Sequence, residues 1–267
     1  MFRSRRTRRR ARIRKNRFPN DWRGILTRHV LLYRYLFPED QRELESHVLV
    51  FLDEKRFEGA AGLEITDEIR VAVAGHACIL LMHRDTDYYP GLYSIIVYPG
   101  PYRAKTRQRD PLGFVQEAHE PRAGESSSRG AIVLSWRDLE GARRREACYN
   151  VAVHEFAHQL DGQDGEVEGT PILPDSSKVA DWARILGREF ESLREASSKG
   201  RPTLLRAYGA KNPGEFFAVA SECFFTRPGA MREEHPELYA ELQSYYRLDP
   251  ASLMEQLFND EGLHRSG

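Results

Sequence analysis

The chain is 267 residues long, and its 40% hydrophobic and 10% aromatic residues exclude a disordered protein and allow a sizeable core. Its 40 basic and 40 acidic residues give a net charge of zero, although the charge is unevenly distributed along the chain. No stretch approaches the roughly 20 apolar residues of a membrane span, and no apolar segment follows the basic N-terminus as in a secretory signal. We therefore expect a soluble, cytoplasmic protein with no membrane span.

The N-terminal segment is strongly basic. Residues 1–17 contain nine arginines and one lysine and no acidic residue, which leaves 30 basic against 40 acidic residues in the remainder. We expect residues 1–18 to form a disordered, solvated arm. An electrostatic contact with nucleic acid or an anionic surface is the alternative. No aromatic side chain lies among the arginines to stack on bases, so we do not expect nucleic acid as a partner.

The three cysteines, Cys78, Cys148 and Cys223, are widely spaced. This spacing excludes a Cys-x-x-Cys metal site and argues against a disulfide framework. Because each cysteine lies in an apolar stretch, we expect three buried free thiols.

Helical patterns dominate the first part of the chain. Amphipathic patterns predict helices over residues 21–36 and 39–56. Thr66 is a typical N-cap, is followed by two acidic residues, and predicts a helix over about residues 66–82. His76 lies inside this helix, and we interpret it as a structural residue rather than a ligand.

Two short strands are predicted in the middle of the chain. Ser94–Tyr98 and Gly130–Trp136 are rich in β-branched residues, and the polar residues 100–130 between them predict a long irregular connection. The second strand lies shortly before the helix that carries His154 and His158. It is therefore either an edge strand along which an extended peptide can pair, or an internal strand of the sheet, and the sequence leaves both open.

The chemistry is concentrated in residues 154–158, which form an H-E-x-x-H pattern. On a helix, His154 and His158 lie on one face, about one turn from each other. This spacing suits a single tetrahedral Zn²⁺, with Glu155 placed to act on a water bound to the metal. We expect this helix to begin near residue 142 and to end at glycine 162, because glycine is common just past a helix C-terminus.

A catalytic zinc needs three protein ligands and one open position for water, so a third ligand must come from elsewhere. Asp161 is the near candidate, but it overshoots a metal held by the two histidines, so we expect it to orient a ligand or fix a loop. Glu215 and Glu222 are the distant candidates, seven residues apart on one face of a helix predicted over residues 213–226. Glu215 also follows the N-cap Asn212 by three residues and can close a capping box instead. Spacing alone does not decide between the two glutamates.

The remaining sequence predicts a loop over residues 162–178 and helices over 179–196 and 213–226, with more helix in the tail from His235 onwards. There are no internal repeats and no segment that reads as a linker. We therefore expect one domain over residues 19–267.

Two segments carry a resemblance to a known family: His-Glu-Phe-Ala-His-Gln-Leu-Asp at 154–161, and Tyr208 followed by Glu215-Phe-Phe-Ala-Val-Ala-Ser-Glu-Cys-Phe-Phe225. With these segments the chain resembles the Mlc titration factor A family (MtfA) of zinc peptidases. The similarity extends upstream to Phe18 and covers about residues 18–247. A more distant similarity is to the catalytic domain of anthrax lethal factor.

The resemblance implies three zinc ligands: His154, His158 and Glu215. It places the catalytic glutamate at Glu155 and a tyrosine at Tyr208, whose phenol can donate to the developing oxyanion of the tetrahedral intermediate. A packed or capping tyrosine is the structural alternative for Tyr208. Glu222 is then either an acid that orients one of the metal ligands or a structural residue.

We therefore predict an α+β fold: a mainly helical, zincin-like metallopeptidase domain with a small sheet beside the H-E-x-x-H helix. The predicted function is that of a gluzincin-like zinc metallopeptidase acting on peptides or proteins, and the resemblance implies aminopeptidase-type activity. The alternative is a regulatory protein-binding module that sequesters a Mlc-like transcriptional repressor, with peptidase activity secondary. An intact H-E-x-x-H set favours the enzyme, because binding alone would not require Glu155.

Overall fold

The computed structural model describes residues 4–109, 115–122, 124–127, 130–141, 148–165, 167–173 and 175–256. Its helices are α1 (Arg5–Ile13), α2 (Asn20–His29), α3 (Pro38–Glu54), α4 (Asp67–Ile79), α5 (Trp136–Gly141), α6 (Val151–Asp161), α7 (Val179–Ser198), α8 (Pro213–Thr226), α9 (Pro228–Glu234) and α10 (Pro236–Tyr246). Its strands are β1 (Arg56–Gly59), β2 (Ser94–Tyr98), β3 (Tyr102–Arg109), β4 (Val115–Arg122), β5 (Gly124–Ser127) and β6 (Ala131–Ser135). Helices predominate over a small sheet, which confirms the predicted α+β class.

The main sheet has four strands in the order β1-β2-β6-β5. Strands β1, β2 and β6 are parallel, and β5 pairs antiparallel with β6. Strands β3 and β4 form a separate antiparallel pair. Alternate residues of β2 and β6 are fully buried, as half-buried strands require: Ile95, Val97, Ile132 and Leu134.

The structure corrects two expectations about the middle of the chain. Strand β6 pairs on both sides, so the predicted strand over Gly130–Trp136 is internal, and the reading of it as an edge strand is wrong. Residues 100–130 are not irregular where they are described, because they contain β3, β4 and β5. These three strands are polar and lack the alternating apolar residues on which a strand prediction depends.

Helix α4 forms the centre of the helical layer. Every residue from Val71 to Ile79 is buried, and α4 packs against α2, α3 and α6. Gly75 allows the close approach of α2, since a Cβ there would lie 2.6 Å from side-chain atoms of both Leu26 and Val30. Among the described residues, no helix combines the length and the apolarity that crossing a membrane requires.

The helix that carries the H-E-x-x-H pattern is shorter than expected. It begins at Val151, because Asn150 caps it by accepting a hydrogen bond from the Val153 amide at 3.1 Å. Residues 148–150 are not helical, and residues 142–147 lie outside the described residues. The helix ends at Asp161 with Gly162 as its C-cap, as the glycine predicts. Helix α6 packs against α8, α4 and the β5–β6 side of the sheet.

The expectation of a disordered N-terminal arm is wrong for residues 5–13, which form helix α1. Ser4 caps the helix, and Ile13 is buried against the rest of the protein. Arg10 pairs with Glu54 at 2.7 Å and with Asp87 at 2.5 Å. The basic segment is therefore folded against acidic residues that precede β1 and β2. That residues 19–267 form one domain stays a prediction.

The expectation of three free thiols also needs correction. Cys148 and Cys223 are paired as a disulfide, with their Cα atoms 4.5 Å apart, although 75 residues separate them in the sequence. Cys78 is a buried free cysteine, as expected. The pair joins the segment before α6 to helix α8, a contact between distant parts of the chain that cysteine spacing does not predict.

Candidate metal centre

Three predicted ligand residues meet at one point between α6 and α8. His154 Nε2 lies 3.0 Å from Glu215 Oε2 and 3.2 Å from His158 Nε2, and His158 Nε2 lies 3.3 Å from Glu215 Oε2. His154 is buried, and the other two are partly buried. The three atoms form a triangle at the edge of the protein interior, with each side chain contributing one electron-pair donor.

The spacing of these donors fits a tetrahedrally coordinated metal ion. With metal–ligand distances of about 2.0–2.2 Å, two ligand atoms of a tetrahedral zinc site lie about 3.3–3.6 Å apart. The observed triangle of 3.0–3.3 Å is close to this value. Two imidazole nitrogens and a carboxylate oxygen are also the donor types that zinc prefers.

Local sequence explains how α8 brings Glu215 to this point. Asn212 caps the helix by accepting a hydrogen bond from the Glu215 amide at 2.9 Å, and Pro213 occupies the first turn. The Glu215 carboxylate contacts the two histidines, so it does not serve the capping box that the sequence left open. Burial disfavours its charge, but hydrogen bonds from His154 and His158 lower its pKa well below the ordinary value.

Glu222, the other distant candidate, lies on the opposite side of His154. It is fully buried, and Oε1 accepts a hydrogen bond from His154 Nδ1 at 2.7 Å. Its Oε2 accepts from the Asn150 amide at 2.6 Å. Because Nδ1 donates to Glu222, His154 can bind a metal through Nε2 once the proton that Nε2 shares with Glu215 is released, so Glu222 orients His154 toward the triangle.

The charges around His154 favour a cation at this place. Burial opposes protonation of the imidazole, but the Glu222 and Glu215 carboxylates outweigh it and raise the pKa of His154. An electrostatic environment that attracts a proton also attracts a metal ion. The residues present therefore fit a metal ion in both spacing and charge.

Glu155 and Tyr208 lie beside the three donors. Glu155 is 5% exposed, and burial raises the pKa of its carboxyl to about 7, although the nearby histidines act in the opposite direction. Tyr208 lies in a 3-10 turn before α8, with its ring centroid 5.8 Å from that of His154. Its side chain is 40% exposed, which argues against the alternative of a packed core tyrosine.

Comparison with known proteins identifies the family. The sequence profile of the family described as glucose-regulated metallo-peptidase M90 matches residues 3–247. The chain belongs to this metallopeptidase family. The match includes helix α1, which the resemblance noted from sequence motifs did not cover.

The relatives of this M90 peptidase match it over most of their length. A protein of Synechocystis described as uncharacterised is 37% identical over 87% of this chain and 85% of its own length. The Mlc titration factor A of Klebsiella pneumoniae strain 342 is 29% identical over 91% of this chain and 92% of its own length. The protein of the same name from Yersinia pestis strain Pestoides F is 30% identical, with 83% and 82% covered.

Asp161, the near candidate of the sequence analysis, lies outside the donor triangle of the M90 peptidase. It is fully buried, and its Oδ2 accepts a hydrogen bond from the Gly169 amide at 2.8 Å. The carbonyl of Gly169 in turn accepts from Trp182 Nε1 at 3.0 Å. Asp161 thus fixes the loop that follows α6, which is one of the two roles expected for it.

Two residues of the M90 site were missed by the sequence analysis. Asn150 caps α6 and donates its amide to Glu222, and its position just before the motif is an N-cap signal that could have found it. Arg206 hydrogen bonds to Glu222 Oε1 and donates Nε to the Cys148 carbonyl at 3.0 Å. No local pattern around Arg206 predicts this contact, because it joins segments 58 residues apart.

Proposed function

We propose that this M90 peptidase is a zinc enzyme in which His154, His158 and Glu215 hold the metal. The observation that carries the proposal is the convergence of their donor atoms at mutual distances of 3.0–3.3 Å. Two histidines and a glutamate are a donor set used by catalytic zinc, with a further position left for water. Zinc, when bound, lowers the pKa of a water molecule and polarises the carbonyl of the scissile peptide.

The proton transfers are assigned to Glu155. Its carboxylate accepts the proton of the attacking water and delivers it to the nitrogen of the leaving amine as the C–N bond breaks. The Tyr208 phenol donates a hydrogen bond to the oxyanion that develops on the substrate carbonyl. Glu222 and Asn150 keep His154 in the orientation that this chemistry requires.

We propose that the substrate peptide lies along β5. This strand is at one end of the main sheet, and it packs against α6. An extended peptide can pair with the free edge of a strand through backbone hydrogen bonds, which bind many different sequences. In this proposal β5 provides the edge that was one of the two alternatives for the strand over Gly130–Trp136.

Aminopeptidase-type activity is part of the proposal and is supported by the family resemblance alone. It is tested by comparing a peptide with a free N-terminus and the same peptide with an acetylated N-terminus. An aminopeptidase cleaves only the first, whereas cleavage of both at similar rates contradicts this part of the proposal. A cytoplasmic location likewise stays a prediction.

The central test is the variant Glu155→Gln, assayed for peptide hydrolysis and metal content. We expect hydrolysis to fall by at least about 100-fold, since a general base contributes about 10² to 10⁴ in rate. The bound zinc should remain near one ion per chain, because Glu155 is not a proposed ligand. Hydrolysis that survives this change contradicts the mechanism.

Metal analysis of ligand variants tests the site itself. His158→Ala and Glu215→Ala should each lose zinc, while His235→Ala, which removes a partly buried histidine paired with Glu189, should keep it. If Glu222→Ala loses zinc completely and Glu215→Ala keeps it, the third ligand has been assigned to the wrong glutamate.

A second candidate function is favoured by the name of several relatives, Mlc titration factor A. In this reading, the chain sequesters a Mlc-like transcriptional repressor, and peptidase activity is secondary. Glu155→Gln separates the two functions, because repressor binding does not need a proton acceptor. If the variant keeps full function in a cell that depends on this protein, the binding role is the principal one.

A further inference from the structure

A single lysine lies beside the tyrosine of the proposed active site. Lys211 Nζ is 3.9 Å from the centroid of the Tyr208 ring, and this centroid is 5.8 Å from that of the His154 ring. Lys211 is exposed, and with the residues that the structure describes its ammonium makes no hydrogen bond and no ion pair. The contact with the aromatic face leaves its three N–H donors available to a ligand.

The two glutamates around His154 are already engaged. Glu215 contacts both histidines, and Glu222 is buried against His154 and Arg206. The Arg206 guanidinium carbon lies 5.8 Å from the Tyr208 ring centroid, but its charge is paired with Glu222. Lys211 is thus a cation beside Tyr208 whose charge these two glutamates do not neutralise.

We propose that Lys211 determines specificity by binding a carboxylate of the peptide substrate, close to the scissile bond. The inference rests on the proposed peptidase function and names its substrate class as peptides that carry a negative charge there. Neighbouring residues of an extended peptide are about 3.3–3.6 Å apart along the chain. This spacing is comparable to the 3.9 Å and 5.8 Å that link Lys211, Tyr208 and His154, so a carboxylate one or two residues from the scissile bond is within reach of Lys211. The carboxylate belongs either to an acidic side chain or to the C-terminus of a short peptide.

A purely local role for Lys211 makes a different prediction. If the ammonium only holds the Tyr208 ring in place, its removal weakens the hydrolysis of every substrate by the same factor. If it binds a substrate carboxylate, its removal changes the selectivity between charged and neutral substrates. The ratio of two kcat/KM values therefore distinguishes the two roles.

The experiment uses a peptide with no carboxylate, Ala-Ala-Ala amide, and two peptides that each carry one carboxylate: Ala-Glu-Ala amide, and Ala-Ala-Ala with a free C-terminus. Ala-Gln-Ala amide controls for the size of the glutamate side chain. Wild-type protein should prefer at least one of the charged peptides over the neutral amide. In Lys211→Ala this preference should fall about tenfold, the usual effect of losing a hydrogen bond between charged groups. In Lys211→Glu it should reverse, while Lys211→Arg should retain most of it.

The control is Lys15→Glu, which makes the same charge change in an exposed lysine just beyond helix α1. It should leave all three rates unchanged. In Lys211→Ala, a loss of kcat/KM that is confined to Ala-Glu-Ala amide identifies a side-chain carboxylate as the group that Lys211 binds. A loss confined to the free tripeptide identifies the C-terminal carboxylate. Equal losses for all three peptides, or no change in any of them, overturn the inference.

Binding to Glu155→Gln protein separates this inference from the proposed function. The three peptides are titrated calorimetrically into zinc-loaded Glu155→Gln, with and without Lys211→Ala. If wild-type protein cleaves none of the peptides but the charged ones bind more tightly through Lys211, the proposed function fails and the inference stands. If wild-type protein cleaves all three and Lys211→Ala alters neither the kcat/KM ratios nor the affinities, the inference fails and the proposed function stands.

Discussion

Two groups of charged residues in this protein are built in opposite ways. At the metal centre, one fully buried carboxylate, Glu222, accepts hydrogen bonds from a histidine, a backbone amide and an arginine. Under helix α1, three arginines pair with acids that remain partly or largely in contact with water: Arg6, Arg9 and Arg10 with Asp53, Glu54 and Asp87.

The two groups differ in what can take the place of a charged partner that is removed. Water solvates an arginine or an aspartate at the surface, so breaking such a pair costs little free energy. Water does not reach Glu222, so removing one member leaves other charged or polar groups buried without a partner. The buried group thus holds its members in fixed positions, whereas the surface group mainly attaches a helix.

The largest effect is expected for Glu222→Ala. The change leaves His154 Nδ1 and the Asn150 amide without an acceptor, and we expect it to lower the free energy of unfolding by about 3–5 kcal/mol. Zinc affinity should fall about 10- to 100-fold, because His154 is no longer held in one orientation. Urea denaturation of the metal-free protein and zinc competition with a chelator measure the two effects separately.

Glu222→Gln is the control for Glu222→Ala, since it keeps the size of the side chain and one acceptor oxygen. It should lose less stability than the alanine variant and less zinc affinity. If both variants have the same free energy of unfolding and the same zinc affinity as wild-type protein, the buried group does not orient His154.

The next effect is expected for Asn150→Ala, which removes the cap of α6 and leaves its N-terminal amides unpaired. We expect a loss of about 1–2 kcal/mol in the free energy of unfolding, at the upper end for a helix cap because the site is buried. Asn212→Ala removes the cap of α8 at an exposed position and should cost about 1 kcal/mol or less. Equal losses in the two variants would show that burial does not increase the cost of losing a cap here.

Most of the candidate metal centre could be predicted from the sequence as a cluster of donor residues, because its members follow local rules. Two histidines four apart, an N-capped helix and Glu215 three residues after Asn212 are short-range patterns, and the predicted helix over 213–226 matches α8 (Pro213–Thr226). The choice between Glu215 and Glu222 needed the family resemblance, because both lie on one face of that helix. Their roles separate only when α6 packs against α8 and places His154 between them.

The contacts that sequence reasoning missed are long-range. Arg206 reaches the Cys148 carbonyl across 58 residues, and Arg10 reaches Glu54 across 44. A basic N-terminal segment has the composition of a disordered tail, and the acids that pair with α1, Asp53, Glu54 and Asp87, are distant from it in the sequence. The strands β3, β4 and β5 were missed for a related reason, since backbone pairing forms them without an apolar pattern.

The ion pairs under helix α1 should make the stability of the protein depend on pH in a characteristic way. Burial opposes the charge of Glu54, but hydrogen bonds from Arg10 and Arg6 outweigh it and lower the pKa of its carboxyl to about 2. The unfolded chain therefore binds this proton at a higher pH than the folded protein does. The stability that Glu54 contributes is complete above its ordinary pKa of about 4.5 and is lost as the pH falls toward 2.

Urea denaturation of wild-type protein and Glu54→Gln between pH 7 and pH 2.5 tests this contribution. The wild-type protein should be the more stable at pH 7, and the difference should shrink steadily below about pH 4.5. Glu64→Gln is the control for the substitution itself, because it makes the same change in an exposed glutamate. A difference that stays constant over the whole range would contradict a lowered pKa at Glu54.

The smallest effect is expected for Arg6→Ala. The Arg6 side chain is 48% exposed, and its ion pairs with Glu54 and Asp87 are 3.1 and 3.4 Å long. We expect a loss of about 0–0.5 kcal/mol in the free energy of unfolding, which disappears in 1 M salt, where charges are screened within about 3 Å.

Arg10 is 13% exposed and makes shorter pairs with the same two acids. Arg10→Ala should therefore cost more, about 1 kcal/mol, and should keep part of that cost in 1 M salt. The two variants thus compare the cost of removing a largely buried arginine with that of removing a half-exposed arginine in the same helix. If Arg6→Ala costs as much as Arg10→Ala in both low and high salt, exposure does not control the strength of these pairs, and the contrast with the metal centre must have another cause.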